Sequence, residues 1–133
     1  MNETIINLFL SDYPIKYGLK IFPDMYYENI NRLYSSGNNL QNRRNKSRYM
    51  GCLTNKYVYS MLPEGVMEEI KRRNPKININ GIKRRKYKIY EFLTIYGIEE
   101  LQEILKKIIL IMSVSRDKNE FQENYNRVFY SQT

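Results

Sequence analysis

The clearest periodicity in the chain lies in its C-terminal third, where Leu101, Ile104, Leu105, Ile108, Ile111 and Met112 recur at helical spacing. Glu99, Glu100 and Glu103 occupy the first turns of this stripe and Lys106 and Lys107 follow, the order that a helix dipole favours. Upstream, Ile89, Phe92, Leu93 and Tyr96 fit an i, i+3, i+4, i+7 template, with Gly97 placed to act as a C-cap. Downstream, Asp117-Lys118-Asn119-Glu120 has the form of a capping box opening a last helix, with Phe121, Tyr125, Val128 and Phe129 inward.

The first half of the chain is more broken. Pro23 suits a first helical position, and Tyr26, Tyr27, Ile30, Leu33 and Tyr34 follow at helical spacing. Ser35 to Asn42 is polar, contains Gly37 and reads as a loop. Leu53, Tyr57 and Met61 repeat every four residues, which predicts a helix from Met50 to Met61. Leu62-Pro63-Glu64-Gly65 is a tight corner into a short helix carrying Val66, Met67 and Ile70, which Asn74-Pro75 ends. Lys76 to Lys86, with Gly81, has the weakest pattern and is expected as a basic linker or arm. Residues 1–20 (Ile5, Ile6, Leu8 and Phe9, then Pro14 and Gly18) carry too little pattern to assign as strand or helix.

Few segments alternate with period two, so the expected class is all-α or nearly so. The expectation is a compact bundle of about five to six helices with a basic linker, residues 21–133 forming a single helical domain. Its core would be the Leu101–Met112 helix packed on the Ile89–Tyr96, Phe121–Phe129 and Tyr26–Tyr34 helices. A length of 133 residues, 42% hydrophobic content and 18 aromatic side chains support a folded chain with its own core.

Basic charge is concentrated in the middle of the chain. Between Arg43 and Lys88 there are 14 basic side chains against three acids, Glu64, Glu68 and Glu69, which is +11. The other 87 residues hold 8 basic and 11 acidic side chains, which is −3, so the formal +8 comes from one region. A basic block of this kind concentrates polyanions around itself, and nucleic acid or a nucleoprotein is the first partner to consider. A lone cysteine, Cys52, forms no internal disulfide. The short apolar run near Glu3 and Asp12 does not read as a signal peptide, and Ile108 to Met112 is far too short to span a membrane.

Several segments together resemble the "P63 C-terminal" (P63C) domain family of phage, prophage and plasmid proteins. They are Phe22-Pro23-Asp24-Met25-Tyr26-Tyr27 with Arg32-Leu33, then Leu53-Thr54-Asn55-Lys56-Tyr57-Val58-Tyr59, then Leu62-Pro63-Glu64-Gly65-Val66-Met67-Glu68-Glu69-Ile70. Asn74-Pro75, Phe92-Leu93-Thr94 with Gly97, and the tail from Ile111-Met112 through Phe121 to Phe129 complete the match, from Phe22 to Phe129. The resemblance implies a mobile-element setting; with no disulfide, signal peptide or membrane span expected, the location expected is the cytoplasm of the bacterial host cell. It does not imply a reaction. The family usually carries histidines around the Phe-Leu-Thr segment and in the following helix; here those places are Tyr90-Glu91 and Ile104, and the chain has no histidine.

Without histidine, the usual proton shuttle near neutral pH is missing, as are His-based metal sites and Ser/His or Cys/His nucleophile pairs. Cys52 is expected as a buried structural thiol, with Arg48 and Lys56 nearby as the only argument for a nucleophile. Glu64, Glu68 and Glu69 at a helix start are more simply dipole compensation than a divalent-metal site. Tyr130 lacks the Arg-His constellation of a strand-transferring tyrosine, and Gly65, Gly81 and Gly97 are isolated rather than a phosphate loop. No enzyme activity, cofactor or metal is expected.

Binding is the better-supported class. Arg43, Arg44, Lys46 and Arg48 form one cluster, Lys71, Arg72 and Arg73 a second, and Lys83, Arg84, Arg85, Lys86 and Lys88 a third. Such side chains contact phosphate oxygens, and Tyr49, Tyr87 and Tyr90 beside them suit stacking on unpaired bases. The bland readings are that basic residues at a helix end serve its own dipole, that runs such as Lys83–Lys86 are merely solvated, and that Tyr90 flanks the core. No helix-turn-helix signature is present. The competing class is an inhibitor of a host defence complex, of anti-CRISPR type, acting through a protein–protein interface rich in tyrosine and arginine.

Overall fold

The structure, a computed structural model, describes residues 3–34 and 43–130 and, for residues 43–49, the backbone alone. The described chain is mostly helical. It contains α1 (Glu3–Phe9), α2 (Asp24–Tyr34), α3 (Arg43–Tyr57), α4 (Val66–Arg73), α5 (Ile95–Ser113) and α6 (Lys118–Phe129). Short 3-10 turns at Tyr59–Met61 and Ile89–Phe92 and an antiparallel hairpin, β1 (Lys76–Ile79) and β2 (Ile82–Arg85), complete it. The class is therefore not strictly all-α. Two compact units divide these elements: residues 1–21 with 59–101, and residues 22–58 with 102–133.

In the first unit, α1 packs on α4, and Leu10 pairs with Leu93 in an isolated antiparallel bridge. Ile6, Phe9, Val66, Ile70, Phe92 and Leu93 are buried. The segment expected as one helix from Ile89 to Tyr96 is instead a 3-10 turn, an extended residue at Leu93 and the first turn of α5. Gly97 is correspondingly not a C-cap. It lies inside α5, where a Cβ would stand 2.7 Å from the Phe9 carbonyl oxygen. That oxygen accepts the Thr94 N–H at 2.8 Å, so the end of α1 is seated on the start of α5 through a position with no side chain.

In the second unit, α2 packs on α6, and the apolar stripes read from the sequence are buried: Tyr26, Ile30 and Leu33, then Leu105, Ile108 and Met112, then Phe121 and Tyr125. Ile104 is only half-buried, and Val128, expected inward, is exposed. Buried tyrosines satisfy their hydroxyls locally. Tyr125 Oη donates to the Tyr57 carbonyl at 2.9 Å, and Tyr26 shares a 2.8 Å hydrogen bond with Thr54 Oγ1. Burial pushes the Tyr26 phenol up to about 12, against a smaller opposing effect of the Thr54 hydrogen bond.

The helix ends follow local chemistry. Arg32 reaches the C-terminus of α5, donating to the Met112 and Ser115 carbonyls at 2.6 and 2.8 Å. Asp117 caps α6 by accepting the Glu120 N–H at 2.9 Å. The return bond of the expected capping box is shifted by one residue: Glu120 accepts from the Arg116 N–H, at 2.8 Å. No helix among the described residues is long and apolar enough to cross a membrane.

Candidate nucleic-acid interface

From Lys71 to Lys88 the chain carries nine cationic side chains, with no acidic residue between Glu69 and Glu91. All of this stretch belongs to the first unit: the end of α4, the Asn74-Pro75 corner, the hairpin, and Lys86 to Lys88. The expected basic linker is thus an ordered two-stranded ribbon. Asn80 (φ 53°) and Gly81 (φ 84°) occupy the left-handed region as a two-residue turn requires, and Asn78 Oδ1 accepts the Gly81 N–H at 2.8 Å.

Pairing of Lys76 with Arg85, Ile77 with Arg84, Asn78 with Lys83 and Ile79 with Ile82 fixes which side chains share a face. One face carries Lys76, Asn78, Lys83 and Arg85; the other carries Ile77, Ile79, Ile82 and Arg84. Asn74, only 1% exposed, anchors the ribbon's base. Its Nδ2 donates to the Tyr87 carbonyl at 2.7 Å, its Oδ1 accepts the Tyr87 N–H at 3.3 Å, and its own carbonyl accepts from Arg85 Nη1 at 2.7 Å.

The nine cations are not equivalent. Arg73 is structural: its side chain is 18% exposed, Nε donates to Glu69 at 2.8 Å and Nη1 to the Ser11 carbonyl at 2.8 Å. Arg72 also donates to Glu69, and hydrogen bonds from Arg72 and then Arg73 hold that carboxyl down to about 2. Arg85 is spent on Asn74. Lys86 lies over the Tyr87 ring and Lys88 over the Tyr90 ring, at 5.4 and 5.8 Å from the centroids. The side chains of Lys71, Lys76, Lys83 and Arg84 are exposed and make no hydrogen bond or ion pair among the described residues.

Tyr87 is half-buried with its ring edge-to-face against Phe92 at 5.8 Å, so packing already occupies it. Tyr90 is likewise half-buried. Arg43, Arg44, Lys46, Arg48 and Tyr49 have backbones in the first half of α3, in the other unit, and their side chains lie outside the described residues. One further expectation changes. Cys52 is exposed, because it falls on the solvent side of α3 rather than on the face that buries Leu53 and Tyr57. Glu69 serves Arg72 and Arg73, and no group of three or more Cys, Asp or Glu among the described residues is arranged to hold a metal. Glu91, at a place where the resemblance puts histidine, accepts the Lys88 N–H at 2.7 Å and stands 3.8 Å from Lys16 Nζ.

A mostly helical protein carrying a basic β-ribbon is the class these features define. The P63C domain family model matches residues 5–101, and the chain belongs to that family. The match begins within α1 and ends inside α5, so it takes in residues 5–20 and stops short of the tail from Ile111 to Phe129. No curated protein and no solved structure matches the chain.

Proposed function

We propose that this P63C protein is a mobile-element protein that binds nucleic acid, or a nucleoprotein, without catalysing a reaction on it. One observation carries the reading: an ordered ribbon, the helix end before it and the Lys86–Lys88 segment after it hold nine cations and no acid, and Lys71, Lys76, Lys83 and Arg84 among them have exposed, uncommitted side chains. Protein cations that are not satisfied internally exchange counterions for phosphates at little cost to the fold. Lys71 and the ribbon supply phosphate contacts; Arg73 and Arg85 supply the scaffold that presents them. The half-buried tyrosines Tyr87 and Tyr90 serve packing first, so affinity rests on charge more than on base stacking.

The test is charge reversal at the ribbon. Lys83→Glu with Arg84→Glu is expected to abolish binding to labelled DNA and RNA while helical content and Tm stay within about 2 °C of the parent, since both side chains are exposed and unpaired. Undiminished binding by this variant removes the ribbon from the site.

A further inference from the structure

The ribbon has a second property that phosphate binding alone does not explain. Ile77 and Ile82 are 40% and 51% exposed, and with half-buried Ile79 they line one face together with Arg84. Isoleucines that serve the core are closed off from water, Ile30, Ile70 and Ile108 being at most 1% exposed, whereas Ile77 and Ile82 stand open. A two-stranded ribbon is marginal on its own, and Asn74 holds this one only at its base. At its far end Ile79 and Ile82 are direct cross-strand partners flanking the Asn80-Gly81 turn. The last pair before the turn is therefore narrow and apolar on one face, with Ile82 open to solvent, Ile79 partly so, and only Asn80 and Gly81 beyond it.

Charge decides what covers it. Free cations stand on both faces of the ribbon, Lys76 and Lys83 on one and Arg84 on the other, with no acid in the hairpin. A strand added by a partner protein at one edge would meet cations on both faces with no acidic counterpart from this chain. A groove with a phosphate wall on each side matches that distribution. We infer that the hairpin Lys76–Arg85 enters the minor groove of B-form duplex DNA and drives Ile79 and Ile82 into a base step as an apolar wedge. This rests on the nucleic-acid reading above and names its substrate and its action. Apolar wedges inserted from the minor groove unstack a step and kink the duplex toward the major groove, which opens the minor groove to the ribbon, with Lys76 and Lys83 on the face toward one phosphate wall and Arg84 on the face toward the other. A-form RNA, whose grooves differ in width and depth, does not offer this arrangement.

The experiment uses the whole protein and a DNA duplex carrying 2-aminopurine at central steps and a donor–acceptor dye pair at its ends. Binding should raise 2-aminopurine fluorescence by about twofold or more and shorten the end-to-end distance, as unstacking and kinking require. Ile79→Thr with Ile82→Thr keeps β-branching and so the strand; it should bind within about threefold of the parent and lose both signals. Ile82→Leu, apolar and of the same volume, should keep them. Parent binding with neither signal, or full signals from the double Thr variant, overturns the wedge and leaves the nucleic-acid reading standing. Absence of any DNA binding by the parent overturns the wedge, and absence of RNA binding as well removes the nucleic-acid reading with it. Equal unstacking of an RNA duplex overturns the choice of substrate.

Discussion

Asn74 and Tyr87 hold each other by a reciprocal pair of hydrogen bonds, side-chain amide to backbone, across the two ends of the β-ribbon. A buried asparagine after a helix thereby fixes where a basic hairpin leaves the body of its unit. Because Asn74 also ends α4 and offers its carbonyl to Arg85, one residue couples the helix end, the ribbon base and a cation.

Asn74→Ala should accordingly cost about 1–3 kcal/mol, since it leaves the Tyr87 N–H and carbonyl without their buried partner. Urea unfolding measures the loss. DNA affinity should fall as well, although Asn74 itself touches no phosphate. An unchanged unfolding midpoint would mean the ribbon is not anchored there.

Two glycine-to-alanine changes inside helices should have opposite signs. At Gly97 the new methyl would meet the Phe9 carbonyl at 2.7 Å, and overpacking of this kind costs about 1–3 kcal/mol. At Gly51, in α3, nothing lies within 4 Å of the new Cβ, so the helical preference for alanine should add up to about 1 kcal/mol. Thermal unfolding of the two variants side by side checks both.

The helices were legible because the apolar positions that recur at helical spacing are the ones the fold buries, Leu101, Leu105, Ile108 and Met112 above all. The ribbon was not, because its isoleucines alternate over too short a stretch and face solvent, and cations dominate its composition. Its signal was nonetheless present: Asn80-Gly81 between Ile77-Asn78-Ile79 and Ile82 is a two-residue hairpin turn. Gly97 resembled a cap because its reason for being glycine is a carbonyl 88 positions earlier, which local pattern does not carry. The basic clusters were visible as charge, but not their division of labour. Arg73 is tied to Ser11 across 62 positions, and only the folded chain separates it from Lys71.

Core truncation gives a scale for these effects. Ile108→Ala, at a fully buried site, should cost about 2–5 kcal/mol, whereas Leu110→Ala, 65% exposed, should stay within about 0.5 kcal/mol of the parent. Denaturant unfolding at one pH compares them directly.

Glu69 predicts an acid dependence. Its carboxyl is lowered from 4.5 to about 2 in the folded chain by Arg72 and Arg73, so its ionised form contributes stability above pH 4.5. That contribution fades as pH falls from 4.5 through 2. Glu69→Gln should therefore be less stable than the parent at pH 6, with the gap closing towards pH 2 in denaturant unfolding. A gap independent of pH would show that charge at Glu69 does not matter.

The proposed function has the free cations of the ribbon and the end of α4 engage phosphates. Its most direct test is the affinity of the whole protein for a labelled DNA duplex, a DNA single strand and an RNA across a salt series. With Lys71, Lys76, Lys83 and Arg84 engaged, the slope of log affinity against log salt for the duplex should be about −4. Binding no tighter than about micromolar at low salt, or a slope near zero, would contradict the account and point to a protein partner instead.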